Sequence, residues 1–302
     1  MLYEAGGART LGFVRLCVFS IWFLKIVRDP FYLVAELPVE TFSPVGLLAL
    51  APAAVWAWLT DEAVLRTVWW VLLVLVVLAM AGARPWRAVA LPAVVLLTLQ
   101  QSLLRSVGFV NHAEIGVLFC AWVLAVLPSA DGFALMRPDR GIRPESAAPY
   151  RLGILLMTLG LLFGYTAIGA HRLALSSPEI FTGDSMLFYV GKTRFYPVDL
   201  LLPVRSWALS RPGLFGVINV GFFLVTVMEV LSPFCLISRR FRHFWLVFIF
   251  GFHVLTLLLM QIFFWESGIL VVVLMTGVVN LVRPTMRPLF ASPRPSAGAR
   301  FS

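Results

Sequence analysis

The chain has 302 residues, a formal charge of +9, 60% hydrophobic residues and a mean hydropathy of +0.92. This composition excludes an ordinary soluble domain and indicates an integral membrane protein. The positive charge is spread over several short segments rather than gathered in one patch, so we expect no nucleic-acid partner and expect the lipid bilayer as the main one.

A membrane-spanning helix needs about 20 mostly apolar residues, and eight segments of the chain approach this length. In chain order they are Leu11–Val27, Ala63–Ala81, Ala88–Val107, His112–Leu127, Leu152–Ala170, Leu214–Leu236, Phe244–Phe264 and Gly268–Val282. The first contains Arg15 and Lys25 and precedes no small-residue cleavage pattern, so we expect it to be retained rather than removed as a signal peptide. Thr41–Leu59 allows either an interfacial or a re-entrant helix. The sequence therefore predicts an all-α, polytopic membrane helical bundle with about eight transmembrane helices.

Arginine residues cluster after every second predicted span, and this pattern predicts the orientation. They are Arg84, Arg87, Arg137, Arg140, Arg143, Arg151, Arg239, Arg240, Arg242, Arg283, Arg287, Arg294 and Arg300. Because basic loops stay in the cytoplasm, we expect both termini on the cytoplasmic side of a plasma membrane. The region His171–Pro212 does not fit this positive-inside rule, because it would place several basic residues on the outer side.

The chain divides into a membrane domain over residues 1–285 and a disordered cytoplasmic tail over residues 286–302, which is rich in Pro, Ser and Arg. The long region His171–Pro212 contains aromatic and apolar residues, which favours short amphipathic helices on the outer membrane face. Three cysteines lie in predicted spans without a CxxC pair or a zinc-like spacing, so we expect core packing and no metal: Cys17, Cys120 and Cys235.

Polar and ionisable residues within a membrane are costly and usually mark a functional site. In the predicted topology most of them approach the outer side. They are Asn111, His112, Glu114, His171, Arg172, Glu179, Asp184, Lys192 and Glu266, with His253 deeper and Gln100, Gln101 and Arg105 approaching from the third span. Glu229, toward the inner end of the sixth span, is the exception. Each residue alone allows a structural interpretation as a helix cap or a headgroup contact, but their shared side favours a site.

Four stretches resemble, in order, the motifs of one membrane family. They are Phe13-Val-Arg15, Asn111-His112 through Asp131-Gly132, Tyr165 through Met186, and Phe252-His253 with Met260. Across about residues 10–285 they resemble the HTTM family, which includes vitamin K-dependent gamma-carboxylase. The resemblance implies a bundle that binds a reduced quinone and works at the outer or lumenal face. From this resemblance we assign binding roles to Tyr165, His253, Asn111, Glu179 and Asp184.

The chain departs from the family at its catalytic position. The family uses the lysine of a Lys-Leu pair as the initiating base, and this chain has Arg172 there. A guanidinium stays protonated, so Arg172 can hold an anion but cannot easily abstract a proton, and carboxylase activity itself is doubtful. His171 could act as the base while Arg172 stabilises an anion, although neighbours on a helix point about 100° apart. His112 is the second candidate base.

We also expect no counterpart of the large lumenal domain with which the carboxylase recognises its protein substrate. Compact bacterial members of the family work with a second small protein, so the resemblance implies a bacterial protein with a peptide substrate and a partner protein. The predicted function is a quinone- or lipid-dependent modifying enzyme with an extracytoplasmic-facing site. The alternative is a non-catalytic lipid- or peptide-binding or transport component that works with a partner.

Overall fold

The computed structural model describes residues 7–108, 113–135, 148–175, 178–182, 184–192, 202–260, 262 and 264–282. Within these ranges every regular element is a helix, which confirms the predicted all-α class. The α-helices are α1 (Ala8–Arg28), α2 (Ala53–Leu59), α3 (Glu62–Ala81), α4 (Trp86–Ser106), α5 (Ala113–Val126), α6 (Ala148–Leu175), α7 (Glu179–Thr182), α8 (Ser185–Lys192), α9 (Leu202–Leu209), α10 (Pro212–Val230), α11 (Phe234–Ile237), α12 (Arg239–Met260) and α13 (Trp265–Val282).

Six helical segments among the described residues are long and apolar enough to cross a membrane, judged by length and composition. They are Ala8–Glu36, Glu62–Ala81, Trp86–Ser106, Ala148–Leu175, Gly213–Val230 and Arg239–Met260. The other two predicted spans correspond to α5 and α13, whose described apolar stretches are shorter, at Glu114–Val126 and Trp265–Met275. The outer surfaces of these helices carry many exposed apolar side chains, including Val217 and Val247, as expected where lipid replaces water.

Arg15 holds one end of the bundle together, which we call the Arg15 end. Its buried guanidinium donates to the carbonyl oxygens of Ser129 (2.8 Å), Gly132 (3.2 Å) and Phe133 (2.6 Å), in the turn after α5. The carbonyl groups compensate a charge that the apolar core would otherwise exclude. The start of α1 and the turns that follow α3 and α5 therefore meet at this end.

The opposite end, which we call the Lys25 end, joins the end of α1 to the starts of α5 and α13. Lys25 Nζ lies 2.5 Å from Glu114 Oε1 and 2.7 Å from Glu266 Oε1. The helices thus alternate in direction along the chain. The segment Thr41–Leu59, predicted as an interfacial or re-entrant helix, contains the end of one short 3-10 helix, a second 3-10 helix over Gly46–Leu50, and α2. Ser43 N donates to Ser106 O at the end of α4.

The hairpin of α10 and α12 is displaced along the bundle relative to α6. Ser232, in the turn after α10, donates through Oγ to Leu162 O, at 2.8 Å. Leu162 lies about 21 Å from the start of α6 at 1.5 Å per residue, so α10 ends beside the middle of α6. The middle of α10 lies beside the last turn of α6, where Phe222 packs against Arg172, and the start of α10 extends beyond it.

Short helices pack around the part of α10 that is displaced relative to α6. Met186 and Val190 of α8 and Phe215 of α10 form a small apolar core of their own, separate from the main one, and the ends of α9 and α12 close it. The predicted short helices between the fifth and sixth spans are therefore present as α7, α8 and α9. Residues 193–201 and the predicted tail over residues 286–302 lie outside the described residues.

Candidate functional site

One face of α6 carries the predicted Tyr-Gly-Arg motif into the interface with α10 and α12. Tyr165, Gly169 and Arg172 are spaced by four and three residues, and helical residues at these spacings lie on one face. Gly169 allows close approach, because a Cβ atom built there would lie 2.8 Å from Thr226 O and 2.9 Å from Glu229 Cβ. The glycine of this motif therefore sets the distance between α6 and α10.

Tyr165 and His253 form the buried centre of the site. The Tyr165 hydroxyl lies 2.9 Å from His253 Nε2, and both residues are less than a tenth exposed. The Tyr165 ring packs edge-on to Trp245, with 5.2 Å between centroids, and the His253 ring lies 5.6 Å from the Phe264 ring. His253 Nδ1 is buried and has no hydrogen-bond partner among the described residues. The centre therefore offers one free imidazole nitrogen beside aromatic walls.

Arg172 and Glu229 form an ion pair next to this centre. Arg172 Nη1 lies 2.6 Å from Glu229 Oε2, and the side chains are 25% and 3% exposed, respectively. Contrary to the expectation from its position in the sixth span, Glu229 belongs to the polar constellation. The displacement of α10 explains the difference, because it brings the last turn of α10 beside the second half of α6.

Three further predicted site residues within the described ranges have exposed side chains: His171, Glu179 and Asp184. The His171 side chain is exposed, whereas Arg172 turns to α10, as the 100° rotation between neighbours on a helix requires. Glu179 and Asp184 are exposed near α7 and at the start of α8. The predicted candidates Asn111 and His112 lie outside the described residues.

A second polar cluster, Lys25–Glu114–Glu266, was not singled out by the motif analysis. Its three side chains are 11%, 4% and 4% exposed, and they connect α1, α5 and α13. The sequence contains one signal for it, because Lys25 lies within an apolar span and a buried cation requires an anionic partner. Glu266 Oε2 is buried without a hydrogen-bond partner in the described part of the chain.

The start of α13 lies between these two groups of polar residues. Phe264 contacts the His253 ring, and Glu266, two residues later, binds Lys25. Two glutamines on α4 are also buried: Gln100 and Gln101 are both 4% exposed. Neither polar atom of the Gln101 amide has a partner among the described residues.

The residues of the centre are suited to holding a polar group of a membrane-soluble molecule. A neutral imidazole donates a hydrogen bond through one ring nitrogen and accepts one through the other, and the Tyr165 hydroxyl occupies Nε2 of His253. The free nitrogen could therefore bind a carbonyl, hydroxyl or phenolate oxygen. Arg172 is neutralised by Glu229 and adds no uncompensated positive charge.

The fold and these contacts define a helical protein with several candidate membrane-spanning helices and a buried polar centre. No protein-family model matches the chain, and no curated protein or solved structure shows a significant match to it.

Proposed function

We propose that the chain is a multi-pass protein that crosses a bacterial plasma membrane eight times, with both termini in the cytoplasm. The alternating directions of α1, α3, α4, α5, α6, α10, α12 and α13 support the even count. The Arg15 end carries Arg84 and Arg87, so the positive-inside rule makes it cytoplasmic. The Tyr165–His253 centre then lies toward the extracytoplasmic side, in the second half of α6.

We further propose that this centre binds the polar end of a reduced quinone or a related membrane lipid, on which a modifying reaction of the protein depends. The observation that carries the proposal is the buried hydrogen bond between Tyr165 and His253, which leaves His253 Nδ1 free. Aromatic rings around the imidazole suit a flat ring, and the free nitrogen suits its oxygen. A reduced quinone would supply electrons and an ionisable hydroxyl, while His253 would hold a proton at Nδ1.

Arg172 fits a supporting role better than that of the initiating base. Its guanidinium remains protonated and is already bound to Glu229. Carboxylase chemistry is therefore not part of the proposal. A peptide substrate would be brought by a partner protein, as the family resemblance implies.

The alternative function is a non-catalytic lipid- or peptide-binding or transport component. The Arg172–Glu229 ion pair favours it, because the charge at the family's catalytic position is used to join α6 to α10. The two functions differ at this position. In an enzyme, Arg172→Lys and His112→Ala both change turnover, whereas in a binding protein they change affinity alone.

The test is mass spectrometry of small molecules that co-purify with the protein. Wild type is compared with His253→Ala and Tyr165→Phe, and His243→Ala is the control because His243 is exposed on the same helix. We expect a quinone or isoprenoid lipid in wild type and the control that is depleted at least tenfold in His253→Ala. Equal recovery from all folded variants would contradict the proposal.

A further inference from the structure

A cavity of about 330 Å³ lies at the Arg15 end, far along α6 from the Tyr165–His253 centre. It opens between the turn that precedes α4 and the turn that follows α5. Arg84, Trp86 and Arg87 line one side, and Pro128 and Asp131 line the other. None of these residues takes part in the proposed function.

The charges in this cavity do not cancel. Asp131 is engaged through both oxygens, because Arg84 lies 2.9 Å from Oδ1 and the Tyr150 hydroxyl lies 2.8 Å from Oδ2. Arg84 therefore balances Asp131, and Arg87 has no acidic partner in the part of the chain that the structure describes. Arg87 is exposed, and it makes one long contact of 3.4 Å with Val126 O.

Trp86 fixes the geometry of the cavity wall. Its buried indole nitrogen donates to Leu124 O at 3.1 Å and to Leu127 O at 3.0 Å. These bonds tie the start of α4 to the end of α5, so the arginines on either side of Trp86 are held next to the turn after α5. Tryptophan and arginine together are typical of the level of the lipid headgroups.

We infer that this cavity binds the phosphodiester headgroup of an anionic phospholipid from the adjoining membrane leaflet. Basic pockets between transmembrane helices on the cytoplasmic side bind such headgroups. A guanidinium donates to phosphate oxygens in a fork geometry that an ammonium cannot reproduce. The inference rests on the proposed membrane placement but is independent of the chemistry at Tyr165 and His253.

The experiment is native mass spectrometry of the purified full-length protein in detergent, titrated with phosphatidylglycerol, phosphatidylcholine or inorganic phosphate. For the wild-type protein, we expect phosphatidylglycerol to bind more tightly than phosphatidylcholine or inorganic phosphate. Arg87→Gln should weaken it about fivefold, the effect of one basic residue near a lipid surface. Arg151→Gln is the matched control, because Arg151 is exposed at the same end but does not line the cavity.

Arg87→Lys keeps the positive charge but removes the fork geometry of the guanidinium. We expect its affinity for phosphatidylglycerol to lie between those of Arg87→Gln and wild type. Three results would overturn the inference: equal affinity for phosphatidylcholine and phosphatidylglycerol, an equal loss in Arg87→Gln and Arg151→Gln, or binding of inorganic phosphate as tight as that of the lipid. The last would identify a small-anion site instead. The lipid bound at His253 is scored separately by its different mass, so failure here leaves the proposed function intact.

Discussion

Lys25 and Glu266 lie 241 positions apart in the chain, and their side chains meet at 2.7 Å. Glu114 completes the cluster, so one ammonium connects the first helix to the starts of α5 and α13. Two carboxylates face one cation in a nearly dry environment. The stability of this end of the bundle therefore depends on Lys25.

Lys25→Met should destabilise the protein strongly. It leaves two buried carboxylates without their cation, and removing one partner of a buried ion pair costs about 3–5 kcal/mol. The measurement is the apparent melting temperature of the detergent-solubilised protein. Arg28→Gln is the control, since Arg28 lies one turn further along α1 and its side chain is 73% exposed, and we expect almost no change. Equal melting temperatures for the two variants would show that the cluster does not stabilise the fold.

The Arg172–Glu229 pair should behave as a coupled unit. Arg172→Leu alone leaves Glu229 buried and unpaired, whereas Arg172→Leu with Glu229→Leu removes both charges. The Arg172 side chain is 25% exposed, so the ion pair is only partly desolvated. We therefore expect the single variant to lose on the order of 1–3 kcal/mol of folding stability and the double variant to recover part of it. A double-mutant cycle on melting temperature measures the coupling. Strictly additive effects would mean that the pair contributes no interaction energy.

Gly169→Ala should weaken the packing of α6 against α10. The added methyl group would lie 2.8 Å from Thr226 O, and backbone on a packed helix cannot yield easily. Gly164→Ala is the matched control, because no atom beyond the adjacent backbone of its own helix lies within 4 Å of its Cβ position, and alanine is more favourable than glycine in a helix by about 1 kcal/mol. We expect a lower melting temperature for the first variant and an unchanged or higher one for the second. The reverse order would place Gly169 in open space.

Hydropathy was sufficient to predict the helical class and the positions of the six long apolar helices found among the described residues, because a span of about 20 apolar residues is visible locally. Tyr165 and His253, both given binding roles from the sequence, form a hydrogen bond in the structure, and their binding roles stay a prediction. The pairing of Arg172 with Glu229 was missed because it depends on how far α10 slides along α6. Local sequence contains no signal for that register, since both helices are apolar along most of their length.

The same reason explains why the Lys25 cluster was missed as a unit. Lys25, Glu114 and Glu266 were each visible as charges near helix ends, but nothing local connects the first helix to the eighth predicted span. Such contacts are set by packing of the whole bundle. Long-range pairs of buried charges are therefore better predicted by asking which anion a buried lysine needs than by motif spacing.

The orientation can be decided by cysteine labelling in intact cells. Cys17, Cys120 and Cys235 are first replaced by alanine, and single cysteines are then introduced at Phe188 on α8 or Ser238 between α11 and α12. Phe188 is 66% exposed, so Phe188→Cys should react with a membrane-impermeant maleimide before lysis. Ser238→Cys should react only after lysis, because the basic turn beside it is expected in the cytoplasm.

The labelling result also bears on where a ligand enters. If Phe188→Cys reacts from outside, the helices α7, α8 and α9 cover the extracytoplasmic half of α10, and the Tyr165–His253 centre is approached from that side or from the bilayer. If Ser238→Cys reacts before lysis instead, the bundle is inverted and the headgroup cavity at Arg87 faces the outer leaflet. The displacement of α10 along α6 makes Ser238 the informative position, because it reports whether the hairpin reaches the cytoplasmic surface at all. Labelling of Ser238→Cys from neither side in folded protein would mean that this turn stays within the bilayer and that the number of complete crossings is smaller than eight.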